Sequence, residues 1–202
     1  MLDRRAIAWL RPGLDAAARS LARLGIGADP MTIAGFVIGL AGAAAIALSA
    51  YAIGLVLLLA SRLADGLDGA IARQTTPTDR GAFLDITLDF VFYASVPLAF
   101  ALADPQANAL AAAVLLAAFL GTGSSFFPFT ALPAQRGIKN VAYPNKGLYY
   151  LGGLTEASET LICFALMCIW PEHFAVLAYI FAAMCAVTIA TRLAAGWRAL
   201  GP

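Results

Sequence analysis

Apolar residues run through this chain in blocks of about 20, the length a helix needs to cross a bilayer core, and not in the strict alternation of half-buried strands. Six such blocks can be marked, at Met31–Ser49, Tyr51–Ala72, Ala82–Ala103, Asn108–Phe127, Leu148–Trp170 and Phe174–Leu193. A different pattern precedes them. Between Leu2 and Leu24, Arg4, Arg5, Arg11, Arg19 and Arg23 are interleaved at helical spacing with Ile7, Trp9, Leu10, Leu14, Leu21 and Leu24. This predicts an amphipathic helix lying in the headgroup region, interrupted near Pro12-Gly13. Asp29 then stands as the N-cap of the first span, with Pro30 at its first helical position. The expected fold is all-α: one polytopic membrane domain over 1–202, made of a juxtamembrane amphipathic helix (1–27) and a six-helix transmembrane domain (28–202).

Composition agrees. At 61% hydrophobic and 12% charged residues the chain lies outside the soluble range. The net charge of +1 points to no nucleic-acid partner, but it hides an asymmetry. With six spans, both termini and the even-numbered connections share one side, and all 13 Lys and Arg fall toward it. By the positive-inside rule that side is cytoplasmic. The connections at Ala50, at Asp104 to Ala107 and at Pro171 to His173 carry neither Lys nor Arg. Cys163, Cys168 and Cys185 fall inside spans without metal-ligand spacing and read as small buried hydrophobes. No cleavable signal pattern precedes the first span.

The chemistry lies where polar residues interrupt this pattern. Asp65, Asp68, Asp85 and Asp89 sit in the second and third spans, where each ionised carboxylate costs about 2.5–3.5 kcal/mol, on the order of 10 kcal/mol for four. Asp65 and Asp68 are three apart and Asp85 and Asp89 four apart, so each pair shares a helix face. With the turn centred on Pro77, a helical hairpin stacks the four into one cluster roughly 10 Å inside the span, at about 1.5 Å per residue. Carboxylate oxygens without His or Cys suit hard cations: Mg²⁺, Mn²⁺ or Ca²⁺. Thr155, Glu156 and Glu159 in the fifth span reach a similar depth and line the same polar cavity or bond between helices. Gly121 to Ser125 superficially suggests a dinucleotide loop, but it follows a membrane helix and not a strand.

The run Asp65-x-x-Asp68-Gly69-x-x-Ala72-Arg73, followed by Gly81-x-x-x-Asp85-x-x-x-Asp89, resembles the signature of the CDP-alcohol phosphatidyltransferases, integral membrane enzymes of phospholipid synthesis. All eight signature positions are present, and the seven-residue gap from Arg73 to Gly81 is one shorter than the family form. The resemblance implies two divalent ions, Mg²⁺ or Mn²⁺, held by Asp65, Asp68, Asp85 and Asp89, with Asp89 also the catalytic base and no other cofactor. It implies a pocket for the CDP moiety involving Gly69, Ala72, Arg73 and Gly81. Thr32 joins them through a partial match to the family's Pro-Asn-x-x-Thr. It implies a homodimer among membrane lipids. The function expected is transfer of a phosphatidyl group from CDP-diacylglycerol to a polar alcohol, with release of CMP, in a bacterial or archaeal cell membrane with both termini and active site cytoplasmic. Arg136, Lys139, Lys146 and Arg192 lie on the acceptor's approach and favour a phosphorylated polyol, such as glycerol 3-phosphate or inositol phosphate, against the opposing pull of Glu156 and Glu159. The alternative within the same chemistry takes a small CDP-alcohol of the choline or ethanolamine type as donor to a lipid alcohol. The non-enzyme alternative is a cation transporter, for which carboxylates in both halves of the bilayer or internal repeats are expected.

Overall fold

The computed structural model describes residues 2–135 and 154–199, with side chains over 11–125 and 154–198. Its elements are α1 (Leu2–Arg23), α2 (Ala28–Ala47), α3 (Tyr51–Gln74), α4 (Asp79–Ala103), α5 (Pro105–Gln135), α6 (Ala157–Ile169), a 3₁₀ turn at Pro171–His173 and α7 (Phe174–Ala199). There is no strand among the described residues.

Helix α1 runs unbroken through Pro12, contrary to the expected interruption. Pro12 removes one backbone donor, and packing of the following turns offsets the loss: Leu14, Ala18 and Leu21 rest on Ala70 and Ile71 of α3. The helix stops where Gly25 takes φ +78. There the Ile26 N–H bonds the Leu21 carbonyl and the Gly25 N–H bonds that of Ala22, the glycine-terminated end expected of such a helix. Helix α2 begins one residue before Asp29, with Gly27 as its N-cap and no side-chain cap, so Asp29 is not the cap its place before Pro30 suggests.

Helices α2 and α3 pack through small residues. A Cβ on Gly39 would lie 2.6 Å from Phe92 and 2.7 Å from the Ser61 hydroxyl, and one on Gly54 2.5 Å from Ile46. In a bilayer, where lipid competes with apolar contacts between helices, such close backbone approach is the available source of packing energy. Away from α1, the core is aromatic: Phe100 stacks on Phe174 at 4.6 Å and on Tyr51 at 5.7 Å, each pair adding about 0.5–1.5 kcal/mol beyond its burial. Large apolar side chains such as Val37, Ile53, Val56, Leu98, Leu110 and Ile180 point outward, the surface of a protein solvated by lipid.

Four segments among the described residues are long and apolar enough to span a membrane: Ala28–Ala47, Asp79–Ala103, Pro105–Ser125 and Pro171–Arg198. Helix α3 has the length, but Arg62, Asp65, Asp68 and Arg73 lower its hydropathy. Helix α6 has only 13 residues, because the chain from Leu154 to Glu156 is not helical. Helix α2 packs against both α3 and α4, which meet each other less than they meet α2. The signature helices are thus spaced by α2 instead of closing on one another as a simple hairpin.

Candidate active site

The helical registers do what their spacing demands: α3 presents Asp65 and Asp68, α4 presents Asp85 and Asp89, and α2 closes the gap between them with Thr32, Gly35 and Phe36. One oxygen from each of Asp65, Asp68 and Asp85 lies within 4.8 Å of the others. Asp68 is buried, and its Oδ2 has no hydrogen-bond partner among the described residues. An orphaned carboxylate oxygen beside two more carboxylates is costly in a protein interior and fits a hard divalent cation.

Asp89 faces elsewhere. Its Oδ1 accepts from Arg62 Nη1 at 2.6 Å, and the same nitrogen lies 3.4 Å from Asp65 Oδ1. The guanidinium is stacked 3.9 Å over the Phe92 ring, and its Nη2 donates to the Ser61 hydroxyl at 3.3 Å. Sequence reasoning passed over Arg62 as one more orientation charge. Its signal was positional, since three residues before Asp65 is one helical turn away on the same face.

Two cavities flank the cluster. The first, about 410 Å³, is lined by Thr32, Asp68, Gly69, Ala72, Gly81 and Asp85, with the 75–78 turn and Arg80 at its rim. Thr78 caps α4 by accepting from the Gly81 N–H at 3.0 Å. Gly81 is closely crowded: a Cβ there would lie 3.1 Å from both Asp29 Oδ1 and Thr78 Oγ1, which would have to give by a few tenths of an ångström. Arg80 clamps Asp29 Oδ2 through Nε at 3.0 Å and Nη2 at 2.6 Å, which is the role α2's first acid plays in place of capping. Arg73 is outside this lining: its side chain is half exposed, with Nη2 3.8 Å from Asp15 of α1.

The second cavity, about 310 Å³, is lined by Asp89, Tyr93, Thr122, Thr155, Glu156 and Arg192 among others. It lies where α4, α5, α6 and α7 converge. Arg192 is buried and donates through Nη1 to the Thr122 carbonyl at 3.1 Å. Thr155 and Glu156 precede α6, with Glu156 its N-cap and Glu159 in its first turn, so the expected pair of acids inside a helical span becomes a helix start facing a cavity. Hydropathy could not foresee this, because 148–154 is as apolar as a helix interior. Glu159 Oε2 is buried without a partner among the described residues. Arg136, Lys139 and Lys146 lie outside the described residues. Gly121 to Ser125 is α-helical, as its context requires, and the three cysteines are buried and free.

Comparison with known proteins gives this geometry its setting. Residues 26–190 match the family model of the CDP-alcohol phosphatidyltransferases. The chain is 50% identical over 200 residues, 99% of its length and 97% of the relative's, to the inner membrane protein YnjF of Escherichia coli. Over 68 residues, 33% of this chain and 35% of the other, it is 44% identical to the archaetidylinositol phosphate synthase of Methanothermobacter thermautotrophicus. In fold it is similar to the crystal structure of Mycobacterium tuberculosis phosphatidylinositol phosphate synthase with CDP-DAG bound. That match has a TM-score of 0.72 at 24% identity and covers 91% of this chain and 93% of that one. The same enzyme in complex with manganese and citrate matches with the same score, covering 91% and 88%. The signature, its placement on α3 and α4, and these likenesses agree: the chain is an integral membrane enzyme that belongs to the CDP-alcohol phosphatidyltransferase family.

Proposed function

We propose that this chain transfers the phosphatidyl group of CDP-diacylglycerol to a polar alcohol and releases CMP, with the donor's CDP moiety in the cavity beside Asp68 and Asp85 and the acceptor in the cavity beside Asp89. The observation that carries the reading is the division itself: one carboxylate cluster stands between two cavities, and different carboxylates face each. On the donor side Gly69, Ala72, Gly81 and Thr32 leave room for close approach of a diphosphate, and Arg73, outside the lining, has Nη1 3.3 Å from where a Cβ on Gly69 would stand. On the acceptor side Asp89 takes the proton of the attacking hydroxyl. The new O–P bond forms at the lipid phosphorus as the bond to the departing CMP phosphate breaks.

Asp65, Asp68 and Asp85 are suited to hold Mg²⁺ or Mn²⁺, with Asp89 as the further ligand the family signature implies. A bound divalent cation supplies neutralisation of the diphosphate and of the leaving group. The orphaned Asp68 Oδ2 supports this assignment, as does the manganese complex of the similarly folded synthase. For the acceptor we favour a phosphorylated polyol, since buried Arg192 can hold a phosphate through paired N–H donors. The names of the phosphoinositide-forming relatives point the same way, and Glu156 on the same wall supports the opposite choice of a cationic alcohol. Arg136, Lys139 and Lys146 complete the proposed approach.

The test is to incubate purified protein with Mg²⁺ or Mn²⁺, CDP-diacylglycerol and a panel of phosphorylated, neutral and amino alcohols, and to identify lipid product by mass. CMP and a phosphorylated lipid are expected. Product formed only from CDP-choline or CDP-ethanolamine with diacylglycerol would establish the alternative donor, and cation flux without product the transporter.

The proposed topology is a single domain of six spans in which α3 and the segment containing α6 cross with the four apolar helices, α1 lies at the cytoplasmic surface, and both termini are cytoplasmic. A homodimer, as the family resemblance implies, completes the reading. In a cysteine-free background, Thr78→Cys should react with an impermeant thiol reagent only after the membrane is opened, and Gln106→Cys should react from outside. Labelling of both from one face contradicts six spans.

A further inference from the structure

Resting on the phosphorylated-polyol reading above, we propose that Thr155 takes a hydrogen bond from a hydroxyl of the acceptor other than the attacking one, and that Thr188 of α7, itself outside the cavity lining, holds Thr155 in that accepting state. A threonine hydroxyl has one proton to give and two lone pairs. Thr122, Thr155 and Thr160 all line the second cavity, and each has its proton committed elsewhere. Thr122 donates to the Phe119 carbonyl at 2.8 Å and Thr160 to the Glu156 carbonyl at 2.9 Å, the local bonds threonine makes in a helix. Thr155 precedes α6, and its proton goes across to Thr188 Oγ1 at 3.1 Å.

Thr188 is fully buried, and its hydroxyl is used to capacity. It donates to the Met184 carbonyl at 3.1 Å and accepts from the Leu154 N–H at 3.1 Å. A carbonyl only accepts and an N–H only donates, so the proton between the two hydroxyls belongs to Thr155. Thr155 therefore meets the cavity with a lone pair. The lining is graded as a result: hydroxyl oxygens of three threonines, with Asp89 and Glu156, accept, while Arg192, one turn beyond Thr188 on the same helix face, donates. Phosphate oxygens cannot answer lone pairs, whereas the hydroxyls of a polyol can. A phosphorylated polyol thus lies with its phosphate toward Arg192 and a spare hydroxyl toward Thr155, which gives both walls a use in binding one ligand. Thr188 is a positioning residue: it fixes both the backbone at Leu154 and the direction in which Thr155 bonds.

Donor and acceptor KM are measured on the full-length protein in lipid nanodiscs with Mg²⁺, CDP-diacylglycerol and two acceptor sets. One set is glycerol 3-phosphate and 3-hydroxypropyl phosphate, which lacks the spare hydroxyl; the other is inositol phosphate and its monodeoxy analogues. In the wild type, loss of the hydroxyl that meets Thr155 should raise the acceptor KM about two- to tenfold, the range of one neutral hydrogen bond. Thr155→Val should raise the KM of the parent acceptor by a similar factor, leave the donor KM unchanged, and treat that parent and that deoxy analogue alike. Thr188→Val, which turns the Thr155 proton loose toward the cavity, should raise the acceptor KM at least as much, and Thr188→Ser should restore it. Added to Thr155→Val, Thr188→Val should change the acceptor KM little further, because the two act through one bond. A merely structural role would not erase the discrimination between an acceptor and its deoxy analogue. A wild type indifferent to every missing hydroxyl, or a Thr155→Val protein that discriminates as the wild type does, overturns the proposal. If Thr188→Val does not fold, Thr155→Val and the analogues decide alone. No product from either phosphorylated acceptor removes the phosphorylated-polyol reading and this proposal with it, whereas product with unchanged discrimination in Thr155→Val removes the proposal only.

Discussion

The two cavities share one carboxylate cluster yet are built from different materials. The cavity at Asp68 and Asp85 is framed by glycine, alanine, threonine and a short turn, with its rim arginine, Arg80, occupied by Asp29. The cavity at Asp89 is framed by aromatic rings and individual charged groups: Tyr93, Phe119, Glu156 and Arg192. Small residues admit a common feature, a diphosphate, by backbone approach. Placed charges discriminate between ligands, because a ligand group of the wrong sign would be buried against its like. On the proposed reading, the first cavity takes the shared donor chemistry and the second decides acceptor identity.

The largest effects should come from the carboxylates, and they should differ by side. Asp68→Asn and Asp85→Asn should each lower kcat/KM on the order of 10³-fold, the loss of several kcal/mol of charge stabilisation, and weaken binding of CDP-diacylglycerol as well. Asp89→Asn should cost about 10²–10⁴-fold in turnover, the range for a general base, while donor binding persists. Rates and donor affinity measured on the same preparations separate the two. Near-normal turnover in Asp89→Asn removes it as the base. A smaller effect is expected at the wall of the second cavity: Arg192→Ala should raise KM for a phosphorylated acceptor about tenfold or more, from roughly 1.5–3 kcal/mol for a hydrogen bond to a charged group, with the donor KM unchanged. An unchanged acceptor KM would shift the choice toward Glu156 and a cationic alcohol.

The carboxylate cluster was legible in the sequence because intervals of three and four residues have one geometric meaning on a helix, and because charge at membrane depth demands compensation. Arg62 obeys the same interval and stands at the middle of the span Tyr51–Ala72, yet was hidden, since the count that sets orientation takes every Lys and Arg alike. Asp29 before Pro30 carries the local pattern of a cap, and no local pattern reveals Arg80, 51 residues away, as its partner. The wedge of α2 between α3 and α4 was equally invisible: a short turn predicts that two helices run antiparallel, not what packs between them. The late start of α6 escaped because hydropathy measures what a segment prefers to contact, whereas Leu154 to Glu156 is shaped by bonds to α7, the Leu154 N–H and Thr155 hydroxyl both meeting Thr188.

The assignment of donor and acceptor to opposite sides of the cluster is tested most directly by protection from chemical modification. In a background without Cys163, Cys168 and Cys185, Thr76→Cys reports on the first cavity and Ala157→Cys on the second, both at exposed lining positions. Reaction of each with a thiol reagent is followed in the presence of Mn²⁺ with and without CDP. CDP should slow modification at position 76 and leave position 157 unaffected. Protection at 157 with none at 76 would place the nucleotide beside Asp89 and contradict the division of labour between the two cavities.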